Sequence, residues 1–169
     1  MKKDSTKQFN RLIKKISQGE KNALEDFYNI YGKFLFVAAK VITKSSYLAD
    51  EAVNDALVKI WKSSKTMGEI SNPNGWLYIL TVNCAKDILK KERKYICVEN
   101  LENVELSAEY SYNDEFTELI SNLSEQEQQV IIFKIVRGLS FKQIAKELNS
   151  HISSVSSLYY RAIEKLKNI

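Results

Sequence analysis

The residue types that support covalent chemistry are scarce in this 169-residue chain. Its one histidine, His151, lies in a serine-rich stretch without a nearby acidic residue, so a histidine-based triad is not expected. Cys84 and Cys97 form no C-x-x-C pair, which disfavours a zinc site, and both are expected to be reduced and structural. No glycine-rich phosphate-binding motif is present. The sequence therefore predicts no enzyme, no metal site and no cofactor.

Residues 73–93 carry side chains of the kinds that bind single-stranded DNA. Asn72 is a predicted N-cap, and Pro73 takes the first position of a helix, where its missing N–H costs nothing. The side of this helix opposite its apolar stripe offers Trp76, Asn83, Lys86 and Lys90. Rings stack on bases, amides bond to base edges and lysines neutralise phosphate. The alternative to DNA binding is that Trp76 packs in the core and the lysines at the end of the helix are simply solvated.

Charge divides the chain into three blocks. Residues 1–93 hold 17 basic against 10 acidic residues, and residues 124–169 hold seven against four. Between them, residues 94–123 hold one lysine against seven acids. Basic blocks are typical of a polyanionic partner such as nucleic acid, although lysine-rich surfaces also keep proteins soluble. The acidic segment has the weakest helical pattern and is predicted to be a linker.

The elements that must position these residues are helices. The chain has 5 Gly and 1 Pro, where average usage would give about 12 and 8, so turn-rich β folds are disfavoured. Apolar periodicity predicts helices up to about residue 17, over 23–42, from about 48 to 61 and over 73–93. No apolar stretch approaches the length of a transmembrane helix, and the first residues lack the apolar run of a signal peptide, so a cytoplasmic protein without membrane insertion is expected.

The predicted third helix has two different sides. Its buried stripe is expected to include Val53, Ala56, Leu57, Ile60 and Trp61. Its other side carries Asp50, Glu51, Asn54, Asp55 and Lys59. The helix dipole stabilises acidic side chains near the start of a helix. The same acids could also form a surface that binds another protein. The residues alone do not separate these two interpretations.

The C-terminal residues predict a helix-turn-helix. Ser124 with Glu127, and Ser140 with Gln143, have the spacing of capping boxes, so helices are expected to begin at 125 and 141. A turn follows at 149–151, with Asn149 suited to a left-handed conformation, and a last helix opens near Ser153. In such a pair the second helix enters the major groove of DNA with its N-terminal residues. A helical hairpin without a DNA role is the alternative.

Four segments, in order, resemble motifs of the bacterial RNA polymerase sigma factors of the extracytoplasmic-function (ECF) group. Residues 49–61 resemble the region 2 helix that docks on the polymerase β′ coiled coil. Residues 75–83, Gly-Trp-Leu-Tyr-Ile-Leu-Thr-Val-Asn, resemble the stretch A-W-L-Y-x-I-A-x-N that precedes the minus-ten readout surface. Residues 123–127 and 138–148 resemble region 4. The resemblance implies an all-α fold of two small domains: region 2 over 1–94, an acidic linker over 95–118 and the region 4 helix-turn-helix over 119–169.

The resemblance also implies roles and partners. Core RNA polymerase would be bound through its β′ clamp helices and β flap, and promoter DNA through the minus-ten and minus-thirty-five elements. The expected polymerase-binding residues are Asp50, Glu51, Asn54 and Asp55. The expected minus-ten residues are Lys62, Ser64, Lys65, Trp76, Asn83, Lys86 and Lys90. The expected minus-thirty-five residues are Ser153, Ser154, Ser156, Ser157, Tyr160 and Arg161.

The last helix departs from the family pattern. Ser156 and Leu158 stand where the family usually has lysine and arginine, which leaves Arg161 as the strong cation of its groove-facing half. Arginine and lysine pairs with guanine are the commonest specific contacts to duplex DNA. Either serines, tyrosine and Arg161 read the upstream element, or a partner protein recruits region 4 and relaxes that need. The expected partners accordingly include an anti-sigma factor or other recruiting protein. A stand-alone helix-turn-helix regulator and a helical interaction module are the remaining alternatives.

Overall fold

The computed structural model describes residues 5–96 and 114–168, so Cys97 and most of the predicted linker lie outside the described residues. Every regular element in the described ranges is a helix. In chain order they are α1 (Ser5–Ser17), α2 (Ala23–Thr43), α3 (Ser46–Ser63), α4 (Pro73–Ile96), α5 (Asp114–Ser121), α6 (Glu125–Ile135), α7 (Phe141–Glu147) and α8 (Ile152–Lys167). The predicted all-α class is confirmed. The helices pack as an N-terminal bundle, α1–α4, and a C-terminal bundle, α5–α8.

The helix α2 is the centre of the N-terminal bundle. Six consecutive residues, 34–39, are buried. At 100° per residue they cover the full circumference of the helix, so α2 needs neighbours on every side over this stretch. It packs against α1, α3 and α4, and also against α5 and α6 of the other bundle. The ring of Phe9 in α1 meets Phe27 and Tyr31 of α2 at centroid distances of 5.9 and 5.8 Å, which makes α1 part of the same core.

Local capping signals set the starts of the C-terminal helices. Ser124 and Ser140 accept hydrogen bonds from the N–H groups of Glu127 and Gln143, and both side chains bond back to the cap, so both predicted capping boxes are confirmed. Asn149 has a φ of 49°, which confirms the predicted left-handed turn before α8. Gly138 has a φ of 63° between α6 and α7, a conformation that favours glycine.

The helix α5 begins at Asp114, inside the segment that the sequence assigned to the linker up to residue 118. Its Ile120 is fully buried, and the helix packs against α2 and α6. An eight-residue helix without tertiary contacts is marginal in water, so this packing stabilises a segment whose local pattern is weak.

A buried carboxylate fastens α8 to α6. Glu127 is 1% exposed, and its two oxygens accept hydrogen bonds from Lys165 Nζ at 2.9 and 3.0 Å. Burial raises the pKa of Glu127, but Lys165 and the donors of Ser124 outweigh it, so the pKa is lowered from its ordinary value. The same side chain therefore closes a capping box and orients the last helix.

In the described residues, no helix combines the length and apolar character needed to cross a membrane.

We expect Glu127→Gln to lower the melting temperature at neutral pH because the mutant loses the ion pair with Lys165. The lowered pKa means that ionised Glu127 stabilises the fold above its ordinary pKa of 4.5, and that this contribution is lost as the pH falls through its folded-state pKa. The difference in melting temperature between wild type and mutant should therefore shrink in acid. Thermal denaturation from pH 7 to 3 measures it, with the exposed Glu164→Gln as control. A difference that stays constant down to pH 3 would contradict the assignment.

Candidate functional site

The acidic residues of α3 lie together on one side of that helix. Asp50, Glu51 and Asp55 are partly exposed and Asn54 is exposed, while Ala49, Ala52, Val53, Ala56 and Ile60 are buried on the opposite side. Burial raises the pKa of Asp50, and the positive charge of Lys40 on α2 opposes the rise. The structure thus presents the four predicted polymerase-binding residues as one continuous polar surface.

Trp61 lies on this outer surface, and the prediction that it belongs to the buried stripe is wrong. Its side chain is 55% exposed, and Val58 is exposed as well. The spacing of Asn54, Val58 and Trp61, four and then three residues, places them on one helix face. Ile60 is buried instead because it is rotated by about 100° from Trp61. Apolar Val58 and Trp61 therefore extend the acidic surface towards the end of α3.

The loop between α3 and α4 is held in place by α1. The side-chain amide of Asn10 donates to the Ile70 carbonyl at 3.1 Å and accepts from the Ile70 N–H at 3.0 Å. Lys62 and Lys65 are exposed at the start of this loop region. Ser64 is buried, and its hydroxyl donates to the Trp61 carbonyl at 2.8 Å. This burial argues against a direct DNA contact by Ser64.

Three of the predicted DNA-binding residues form an exposed stripe along α4. Asn83, Lys86 and Lys90 are all exposed, and they follow each other at spacings of three and four residues. Ile79, one turn earlier, is exposed on the same side. The stripe combines an amide that can bond to a base edge with two cations that can neutralise phosphate.

Trp76, two turns before Asn83 on α4, is less exposed than the residues of this stripe. Its ring is partly buried and packs edge-on against Phe9 of α1, with a centroid distance of 6.0 Å. This geometry agrees with the alternative prediction that Trp76 belongs to the core, because its ring packs α4 against α1. The signal that sequence reasoning missed is the phenylalanine of α1, which periodicity alone does not pair with a helix more than 60 residues away.

A groove between α3 and α4 joins the two surfaces. It has a volume of about 410 Å³ and is lined by Asp55, Lys59, Asp87, Lys90 and Lys91.

Burial raises the pKa of the Cys84 thiol, and Lys59 opposes the rise. Cys84 is a free, buried thiol, as expected for a structural cysteine. Within 5–96 and 114–168, no group of three or more His, Cys, Asp or Glu side chains could hold a metal ion.

The N-terminus of α4 is capped from the C-terminal bundle. Pro73 is the first helical residue, as predicted. The next two N–H groups, those of Asn74 and Gly75, donate to Glu147 Oε2 at 3.0 and 3.1 Å. These are the donors that the side chain of an N-cap would bind. The predicted side-chain cap by Asn72 is therefore replaced by the carboxylate of Glu147, 73 residues after Asn74.

The predicted minus-thirty-five residues lie on α8. Ser153, Ser154, Ser157, Tyr160 and Arg161 are exposed, and Ser156 is partly exposed. The Ser156 hydroxyl donates to the Ser153 carbonyl at 3.0 Å, so it is engaged with its own helix. The ring of Tyr160 packs against Phe141 at 6.1 Å and Tyr159 at 5.5 Å. The predicted minus-thirty-five residues thus offer hydroxyls, one tyrosine edge and one guanidinium.

Family comparisons match both bundles. The family model for Sigma-70 region 2 matches residues 27–95, and that for Sigma-70 region 4 matches residues 113–166. Together the two matches cover well over half of the chain, and their order is that of the two bundles. A stand-alone helix-turn-helix regulator, one of the alternatives, does not account for the match over 27–95.

Curated relatives match over nearly their whole length. The ECF RNA polymerase sigma-E factor of Haemophilus influenzae is 24% identical over 177 residues, which cover 93% of this chain and 92% of that protein. The ECF RNA polymerase sigma factor SigK of Mycobacterium ulcerans is 21% identical over 176 residues, covering 94% and 91%.

Two solved structures share the fold. CnrH, solved with the cytosolic domain of CnrY, has a TM-score of 0.65 at 18% identity and covers 94% of both chains. The sigma factor RpoE of Bartonella quintana, solved with the anti-sigma factor NepR, has a TM-score of 0.59 at 21% identity and covers 88% of this chain and 96% of its own. The region 2 and region 4 matches, with full-length ECF relatives, identify this chain as a member of the bacterial ECF-type RNA polymerase sigma factors.

Proposed function

We propose that three surfaces of this transcription initiation factor divide the work of promoter recognition. The outer side of α3 docks on the β′ clamp helices of core RNA polymerase. The stripe on α4, with the lysines that precede it, captures the opened minus-ten strand, and α8 meets the minus-thirty-five duplex. The observation that carries the proposal is the alignment of Asn83, Lys86 and Lys90 on one exposed side of α4.

The proposed polymerase surface has exposed apolar side chains next to its acids. Interface energy concentrates in a few buried aromatic anchors, and charged rims add mainly to orientation and association rate. Trp61 and Val58 are exposed apolar side chains on the same side as Asn54. We assign the anchor to Trp61, and we assign the steering of a basic partner to Asp50, Glu51 and Asp55.

Strand capture requires binding energy rather than covalent chemistry. Opening a duplex costs about 1.4 kcal/mol for each base-pair step. A hydrogen bond to an extruded base returns about 0.5–1.5 kcal/mol, and a hydrogen bond to a charged group returns about 1.5–3 kcal/mol. A base held at Asn83, with its flanking phosphates on Lys86 and Lys90, would offset one or two steps. Polymerase supplies the catalysis, so this chain has no catalytic role. We assign Trp76 to fixing α4 rather than to base stacking.

The composition of α8 supports two alternatives for region 4. In the first, α8 reads the upstream element through serines, Tyr160 and Arg161. In the second, a protein partner recruits region 4, which relaxes the need for cations. The second is favoured by hydroxyls at the exposed positions of α8. An anti-sigma factor is a further proposed partner, since the Bartonella quintana neighbour was solved with one.

The proposed domain organisation follows the two bundles. Region 2 covers residues 1–94, and the C-terminal boundary of the acidic linker moves from 118 to 113 because α5 begins at Asp114. We place the protein in the cytoplasm, where core polymerase works.

We expect Trp61→Ala to weaken binding to the β′ clamp helices by about tenfold or more, since a central aromatic anchor commonly contributes 2 kcal/mol or more. The exposed position means that the melting temperature should hardly change. Fluorescence anisotropy with a purified clamp-helix fragment measures the affinity, and Tyr160→Ala, an exposed aromatic of α8, is the matched control. Equal affinities for wild type and Trp61→Ala would remove Trp61 from the interface.

We expect Lys90→Gln to weaken promoter complexes similarly on all minus-ten sequences and to reduce the slope of log affinity against log salt by about 0.7, the value for one single-strand phosphate. Asn83→Ala should instead change the preference among minus-ten bases and leave the slope unchanged, because an amide reads base edges. Holoenzyme binding to promoter variants over a salt series distinguishes the two. Lys7→Gln, an exposed lysine on α1, is the control. A Lys90→Gln slope equal to that of wild type would refute the phosphate contact.

Arg161→Ala separates the two alternatives for α8. If α8 reads the duplex, the mutant should lose about 1–3 kcal/mol of discrimination at one minus-thirty-five position. If a partner recruits region 4, promoters with scrambled minus-thirty-five elements should serve wild type and mutant equally well. Transcription from a promoter library measures both outcomes, with Lys167→Ala at the end of α8 as the charge-matched control.

A further inference from the structure

The loop between α3 and α4, residues 64–72, is pinned to α1 at Ile70. Its first half folds back on the end of α3, because two successive backbone N–H groups donate to the Ser63 carbonyl at 3.0 and 2.9 Å. Further along, the Asn10 side chain bonds both backbone polar groups of Ile70, at 3.1 and 3.0 Å. A neighbouring β-strand would satisfy the same two groups in the same way. The backbone conformation at Ile70 is therefore held by a side chain 60 residues earlier in the chain.

The same turn of α1 also holds the start of α4. Phe9, the residue before Asn10, is fully buried and packs its ring against Trp76 at 6.0 Å. The helix α1 precedes residues 27–95, so the match to Sigma-70 region 2 does not itself assign a role to α1. Two adjacent residues of a core helix thus fix both the loop and the DNA-binding helix that follows it.

Glu69, directly before the pinned residue, is an exposed acid in a segment with two exposed lysines. Those lysines are Lys62 and Lys65. Across the described parts of the chain, no hydrogen bond or ion pair engages the Glu69 carboxylate. On a surface that binds phosphates through lysines, an unpaired carboxylate repels the strand and lowers its general affinity. Glu69 is therefore unsuited to backbone binding and suited to a group that donates hydrogen bonds.

Gly68, directly before Glu69, is not required by the fold of the free chain. Its φ is not positive, so other residues could adopt the same backbone conformation. A Cβ atom built on Gly68 would meet nothing within 4 Å, so packing does not require glycine either. Glycine is also used where a backbone must approach a ligand closely. Gly68 thus leaves open space beside the Glu69 side chain for a flat group such as a base.

The groups that a carboxylate can bind on an opened DNA strand are the amino groups of the bases. An ionised carboxylate only accepts hydrogen bonds, and glutamate is known to accept from the N4 amino group of cytosine. Adenine and guanine also carry an exocyclic amino group, whereas thymine carries a carbonyl oxygen and a methyl group instead. A carboxylate that reads this edge would therefore separate the other three bases from thymine at one position.

We propose that Glu69 reads an amino-bearing base of the opened minus-ten strand, and that Asn10 is the positioning residue that holds Glu69 in place through Ile70. The base reading rests on the proposed function, in which the lysines that precede Glu69 contact the same strand. The anchoring of the loop rests on the hydrogen bonds of the free chain alone.

Amide hydrogen exchange, followed by NMR, tests the anchor in the free, full-length chain. The Ile70 N–H donates to Asn10 Oδ1, so its exchange should accelerate by about tenfold in Asn10→Ala. The Ser64 N–H, bonded to the Ile60 carbonyl at 2.9 Å, is the internal reference. Gln8→Ala, which removes an exposed amide from the same helix, is the matched control. An Ile70 exchange rate that is equal in wild type and Asn10→Ala would overturn the anchor.

Holoenzyme binding to a promoter library, with all four bases at each minus-ten position, tests the base reading. Wild type should disfavour thymine by about tenfold or more at one position, because a hydrogen bond to a charged group is lost there. Glu69→Ala should lose this discrimination at that position alone.

The affinity of Glu69→Ala for the thymine promoter should be at least that of wild type, because a charge that repels phosphate is removed. A variant that merely folds less well would instead lose affinity for every promoter. Glu25→Ala, which removes an exposed acid from α2, is the matched control. A Glu69→Ala preference profile identical to that of wild type would overturn the assignment.

The positioning role of Asn10 is measured on the same library. Asn10→Ala should weaken the discrimination that Glu69→Ala removes, and the double mutant Asn10→Ala/Glu69→Ala should have the same preference profile as Glu69→Ala alone. Faster exchange at Ile70 with unchanged discrimination in Asn10→Ala would refute the positioning role and leave Glu69 as the reader. If wild type shows no preference at any minus-ten position, the proposed function fails. If wild type shows a preference that Glu69→Ala leaves intact, only the assignment to Glu69 fails.

Discussion

The burial of α2 on all sides over residues 34–39 is the constraint on which the other elements depend. Six consecutive buried residues leave this part of the helix without a polar side, so each neighbour must cover part of it. The helices α1, α3 and α4 cover most of its surface, and α5 and α6 cover the part that includes Phe34. The C-terminal bundle is therefore positioned by the hydrophobic requirement of a region 2 helix. Its orientation is further set by two hydrogen bonds on the Asn74 side chain of α4, which donates to Glu147 at 2.8 Å and accepts from Arg137 at 2.9 Å.

The same packing explains why α3 and α4 display separate surfaces. Both helices turn their small or apolar residues towards α2, Ala52 and Ala56 from α3 and Leu77 and Ile88 from α4. Their outer sides then diverge across the groove that Asp55 and Lys90 line. One side combines acids with exposed apolar residues, and the other combines an amide with lysines. A protein partner and a polyanion can therefore be bound by neighbouring helices without competing for the same residues.

Sequence reasoning succeeded where the determining interactions are local. The capping boxes at Ser124 and Ser140, the left-handed Asn149 and the helical class all depend on residues within about four positions of one another. It failed for Trp61, for the cap of α4 and for the extent of α5, because each depends on a partner that is distant in sequence. The pairing of Trp76 with Phe9, and the anchoring of the loop by Asn10, have the same origin. Sequence predicted the helices well, and their contacts with one another much less.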